Sequence, residues 1–146
     1  MSERPTPTRG TREVRSFRLA QDVVDRLDRY AASVGSNRNT VAERFLEEAL
    51  RLVEHPGIVF RDGPSGRRPG LAASGLDVWE VVETVADNAG SVADAAEYLE
   101  IAPGLVGIGM RYYAAYPDEI DAWIAANLEL ADRELALYHK QGSRLA

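Results

Sequence analysis

Near the start of the chain, Val14, Ser16 and Arg18 stand two residues apart, while Phe17 and Leu19 hold the opposite parity. On an extended backbone the first set faces one side and the second faces the other. One face then offers a hydroxyl and a guanidinium, which can donate hydrogen bonds to a polyanion, and the other offers two apolar groups. Reaction chemistry has less to work with. There is no cysteine, which excludes disulfides, thiol nucleophiles and thiolate metal sites. The two histidines, His55 and His139, stand 84 positions apart. Acids are plentiful, but no phosphate-cradling loop or nucleophile elbow accompanies them. An enzyme is not expected, and no cofactor or metal is implied.

The charge distribution points the same way. The 146 residues carry a net charge of −6. Residues 1–55 hold ten Arg against nine acids, a net of +1, whereas residues 56–146 hold seven basic residues against fourteen acids, a net of −7. Within residues 1–19, five Arg face two Glu. A basic arm on an acidic body suits a polyanion at one end and a different partner at the other. At 45% hydrophobic residues the composition is that of a globular chain of one domain or two small ones. No apolar run approaches the roughly 18 residues of a membrane span, and no signal-like block is present, so the expected location is cytoplasmic.

Three blocks follow from punctuation. Residues 1–11, with Pro5, Pro7 and Gly10, predict a flexible basic arm. Residues 12–55 form a first periodic unit, closed by Pro56-Gly57, and residues 56–146 form a second, acidic one. In the first unit, 14–19 predicts a short strand. A helix is expected from about Asp22 to Val34, with Val23, Val24, Leu27, Tyr30, Ala31 and Val34 in one stripe. Gly35 suits the left-handed helix end. Asn37 suits the N-cap of a second helix over about 38–53, whose stripe is Val41, Phe45, Leu46, Ala49 and Leu52 or Val53.

That strand has no neighbour within its own unit. Alone it would leave its backbone groups unpaired, and two short helices bury too little apolar area to stand by themselves. A two-fold homodimer answers both needs, with the strand pairing antiparallel to its own copy. Phe17, Leu19, Val24, Leu27, Val41 and Phe45 would form the dimer core, and Val14, Ser16 and Arg18 would face outward. A two-stranded ribbon of this kind fits the major groove of double-stranded DNA.

The run Val14-Arg15-Ser16-Phe17-Arg18-Leu19, a helix, Gly35-Ser36-Asn37-Arg38-Asn39 and a second helix together resemble a ribbon-helix-helix repressor of the CopG/Arc type, over residues 12–54. The resemblance implies that Val14, Ser16 and Arg18 read bases, Arg18 by a bidentate pair to guanine. It also implies that the start of the second helix (Asn37, Arg38, Asn39), together with Arg12, holds backbone phosphates. Val14 departs from the polar residue frequent at that position of the family.

In the second unit, Gly57 to Arg61, a turn through Asp62 to Gly66, and Arg67 to Leu71 predict a hairpin. Asp77 is expected to cap a helix to about Asn88, Ser91 to cap a short helix carrying Val92, Ala95, Ala96 and Leu99, and Pro103 and Pro117 to open two more, the last running to about His139. The helices around Glu100-Ile101-Ala102 suit a helix-turn-helix. Its second helix, with Gly104, Gly107 and Gly109 and only Arg111 as a cation, suits packing better than reading DNA. Arg67 and Arg68 have three readings: an anion site, accessory DNA contacts, or solvated charges. The fold class expected is mainly α: a ribbon-helix-helix half, a small hairpin and a helical, helix-turn-helix-like C-terminal domain.

Val78-Trp79-Glu80-Val81-Val82, Ser91 to Tyr98, and Arg111 to Ile120 resemble a small bacterial domain of unknown function, over about 66–124. That domain is found in VapB-type antitoxins encoded beside PIN-like ribonuclease toxins. Ser74-Gly75-Leu76 replaces the family's Gly-Thr-Arg. The function expected is a dimeric, sequence-specific transcriptional repressor whose acidic second unit adds further oligomer contacts or binds a partner protein. The resemblance makes a type II antitoxin with a PIN-like ribonuclease toxin as partner one version, and a stand-alone regulator without a toxin is the other. The alternative is a protein-interaction adaptor whose first unit only dimerises.

Overall fold

A computed structural model describes residues 12–142; the arm expected over 1–11 lies outside the described residues. The described chain is mainly helical, with six helices and one two-stranded antiparallel sheet. It divides into two compact units, Met1–Arg44 and Phe45–Ala146.

In the first unit, residues 12–20 belong to no helix and no sheet, and every one of them is exposed. The strand expected over 14–19 is not formed in the single chain, where it has no neighbouring strand to pair with. The Ala20 carbonyl accepts the N–H groups of Val23 and Val24 at 3.1 and 3.2 Å and opens α1 (Gln21–Ser33). Its apolar residues recur at three- and four-residue steps, which gathers them on one side. Ala31 is buried, and Val24, Leu27 and Tyr30 are half-buried. α1 ends where Gly35 takes a left-handed φ of +64°, which costs a residue without a Cβ little. The Ser36 N–H closes the turn on the Ala31 carbonyl at 2.9 Å. Asn37 then caps α2 (Arg38–Glu54), its Oδ1 accepting the Thr40 N–H at 2.9 Å; such a cap is worth about 1 kcal/mol.

The second unit takes up the C-terminal half of α2 and continues with β1 (Ile58–Gly63) and β2 (Gly66–Leu71), in register from Ile58 opposite Leu71 to Gly63 opposite Gly66. Four helices follow: α3 (Val78–Asp87), α4 (Val92–Leu99), α5 (Pro103–Ala115) and α6 (Pro117–Gly142). Glu80 Oε2 accepts the Asp77 N–H at 2.7 Å at the start of α3, and Ser91 Oγ accepts the Asp94 N–H at 3.2 Å at the start of α4. The core joins Ile58 and Leu71 of the hairpin to Val78, Val81, Val82 and Val85, to Ala95 and Ala96, and to Val106, Tyr112 and Ile120. Each large apolar side chain buried there contributes roughly 1.5–3 kcal/mol. Gly109 keeps α5 close to α3: a Cβ there would lie 3.1 Å from Val81 Cγ1.

Two boundaries differ from the expectation. Punctuation at Pro56 suggested a division at 55/56, whereas the units divide inside α2, after Arg44. The physical reason lies in α2 itself, where Glu48 and Arg51 bond to residues of β2, α5 and α6. The last helix also runs three residues further than expected, to Gly142. Among the described residues no helix is long and apolar enough to cross a membrane.

Candidate nucleic-acid interface

Val14 is 93% exposed, Phe17 72% and Leu19 55%. No backbone N–H or C=O of residues 12–19 has a backbone partner among the described residues. Ser16, Arg12 and Arg18 are exposed, and neither arginine has an ion-pair partner there; Arg15 alone in this segment is paired, with Glu13 at 2.6 Å. In the expected dimer core, Val41 is buried and Val24 and Leu27 are half-buried, while Phe17, Leu19 and Phe45 are exposed within the single chain.

At the start of α2, Asn37 is occupied as a cap, and the backbone N–H groups of Arg38 and Asn39 have no acceptor among the described residues. These free N–H groups and the positive end of the helix dipole are what a phosphate needs. The Arg38 side chain is turned elsewhere, donating to both carboxylate oxygens of Asp28 at 2.5 and 2.6 Å. That bond lowers the pKa of Asp28 and raises that of Arg38. Both side chains are largely exposed, so the pair is weak and screened by salt.

Arg67 and Arg68 lie in the other unit, each held by a carboxylate. Arg67 grips Glu48 with two nitrogens, at 2.5 and 2.8 Å, and reaches Asp62 at 3.1 Å. The Glu48 hydrogen bond outweighs desolvation and raises the arginine's pKa further. Arg68 donates through Nε to Asp77, which is 7% exposed.

Three arrangements were not foreseen from the sequence. Arg51 lies over the Tyr116 ring, 4.0 Å from its centroid, and donates to Tyr112, Glu47 and Glu119. Burial alone would lower its pKa, but those bonds outweigh it and raise it. Arg61 donates to the carbonyls of Gly75, Leu71 and Leu76 at 2.5, 2.9 and 2.9 Å, clasping the 71–76 loop with no carboxylate involved. Asp77, expected only as a cap, also accepts from Trp79 Nε1 at 3.2 Å. A Trp two residues after an Asp N-cap and the i,i+4 spacing of Glu47 and Arg51 were the available signals; the other partners lie too far along the chain for any spacing rule. Among the described residues no group of three or more His, Cys, Asp or Glu could hold a metal ion. Comparison with family models, curated proteins and solved structures gives no match.

Proposed function

We propose that the chain is a homodimeric DNA-binding regulator of ribbon-helix-helix type, in which residues 14–19 of two copies pair into a ribbon that enters the major groove. The observation that carries this reading is the segment 12–19, whose backbone has no backbone partner among the described residues and which leaves Phe17 and Leu19 open to water. A second copy supplies the missing hydrogen bonds and covers both apolar groups in one step. Val14, Ser16 and Arg18 then face the bases, and the Arg38 and Asn39 N–H groups take a phosphate. Arg12 is a further phosphate contact in this reading. Arg67 and Arg68, occupied by Glu48 and Asp77, contribute little to it.

The test is duplex binding against salt concentration with the full chain. The logarithm of affinity should fall linearly with the logarithm of salt, with a slope of about −0.9 per phosphate contacted. Arg18→Ala should cost about 1–3 kcal/mol at the preferred site and relax the base preference. Equal affinity of wild type and Arg18→Ala for every duplex would refute the ribbon assignment.

The acidic second unit favours a protein partner with a basic surface, where complementary charge accelerates encounter. A PIN-like ribonuclease toxin is the partner that the resemblance suggests, which would make the chain an antitoxin repressing its own operon.

A further inference from the structure

Both tryptophans of the chain wall one cleft of the second unit. Trp79 from the first turn of α3 and Trp123 from α6 line it together with Ser65, Arg68, Asp77 and Asn127, around a volume of about 170 Å³. Ligand pockets for drug-sized molecules run to roughly 300–1,000 Å³, so this one suits a single ring.

The polar part of the cleft is built. One oxygen of the buried Asp77 accepts from both Arg68 Nε and Trp79 Nε1, so a single carboxylate fixes the guanidinium and an indole. Arg68 rests on bare backbone: a Cβ on Gly63 would stand 1.7 Å from its Nη1. Trp123 lies near Gly66, where an added Cβ would make only an ordinary contact with the ring, at 3.6 Å from Cη2. Beyond the Nε bond, the two Nη nitrogens of Arg68 have no hydrogen-bond partner among the described residues. Asp77 is the one carboxylate that lines the cleft, and its charge is shared among Arg68 Nε, the indole N–H and the amino end of α3. The Arg68 guanidinium is therefore paired with Asp77 through Nε and keeps its Nη N–H donors unused, in a cleft that the two indoles also line.

We propose that this cleft binds a small aromatic carboxylate, its ring against the indoles of Trp79 and Trp123 and its carboxylate on the Nη edge of Arg68. A guanidinium edge presents two parallel N–H donors that match a carboxylate. The apolar walls take the ring, and Asn127 and Ser65 offer further polar contacts. The inference does not depend on DNA binding.

Titration of the full chain with benzoate, followed by tryptophan fluorescence, tests it. Benzoate should change the emission saturably, with acetate (no ring) and benzamide (no charge) each at least about tenfold weaker. Arg68→Gln should weaken benzoate by about 10–100-fold, with circular dichroism checking that the variant is folded. Leu130→Glu alters a half-exposed residue at the cleft wall, so it preserves the fold and adds a repelling carboxylate. It should weaken benzoate several-fold and leave benzamide unchanged. No saturation up to about 10 mM benzoate, benzamide binding as tightly as benzoate, or unchanged benzoate affinity in Leu130→Glu would each overturn the proposal.

Discussion

Arg51 on α2 donates a hydrogen bond of 2.8 Å to the hydroxyl of Tyr112, sixty-one positions further along the chain. Tyr112 has no exposed surface, and its hydroxyl also donates to Glu119 at 3.2 Å. His55 and Tyr116 meet the Tyr112 ring at centroid distances of 5.3 and 4.9 Å. The end of α2 is thereby tied to α5 and to the first turn of α6 by a polar cluster inside an apolar unit. Arg51→Met removes the cation and leaves Glu119 and the Tyr112 hydroxyl poorly satisfied. A loss of about 1–3 kcal/mol in urea unfolding of the second unit is expected, because breaking a partly buried pair leaves its partners unsatisfied. A change below about 0.5 kcal/mol, the range of ordinary surface substitutions, would show that the cluster holds nothing.

The same cluster should make the fold sensitive to alkaline pH. Burial, followed by the nearby Glu119 charge, pushes the Tyr112 phenol well above its ordinary value of 10.0. The neutral phenol is therefore favoured in the folded chain. Its contribution is complete below about pH 10, the unfolded value, and is lost as pH rises through the folded one. Of the six tyrosines, Tyr112 should ionise last, together with unfolding. Tyr112→Phe should remove part of the alkaline loss of stability. If all six ionise together near pH 10 with helical content intact, the environment described for Tyr112 is wrong.

Two glycines of α5 should respond oppositely. Gly109 faces Val81 and Leu71, and a Cβ would already stand 3.1 Å from Val81 Cγ1. Gly109→Val should cost about 1–3 kcal/mol through overpacking. Gly104 has nothing within 4 Å of such a Cβ. Gly104→Ala should raise stability by about 0.4–1 kcal/mol, because it restricts the unfolded chain and favours the helix. Thermal unfolding of the two variants checks both directions, and a destabilised Gly104→Ala would contradict the open surroundings described.

Phe17 separates a one-chain from a two-chain account of the first unit. At 72% exposure within the chain, its replacement by Glu should be nearly neutral for a monomer. In the proposed dimer it places a carboxylate at a dry seam. Sedimentation should then show a shift to monomer at micromolar concentration, with DNA affinity lost in parallel. An unchanged sedimentation profile would remove the ribbon.

Helix placement was largely legible, because its signals are local. The steps between Val24, Leu27 and Ala31, the Gly35 stop and the Asn37, Ser91 and Pro103 starts all act within a turn or two of the residues that carry them. Partnerships across the chain were not. Nothing in the spacing of Arg51, Arg67 or Arg68 says that Glu119, Glu48 and Asp77 will meet them, because ion pairing carries no period. The compact units divide inside α2 rather than at Pro56 for the same reason: Pro56 breaks a helix, but side chains of that helix bond to one unit. At the candidate interface, the alternation of Val14, Ser16 and Arg18 was plain, whereas the capture of the Arg38 fork by Asp28 depends on how α1 and α2 turn about Gly35.

Every residue of α6 from Leu128 to Gln141 is exposed, and the one lysine among the 146 residues, Lys140, lies near the end of that stretch. At 1.5 Å per residue, Lys140 stands about 18 Å along the axis from Leu128. Apart from the terminal amine, an amine-reactive dye would therefore have a single side chain to label, without mutagenesis. Paired with Trp79 and Trp123 as donors, it would make the chain its own molecular ruler.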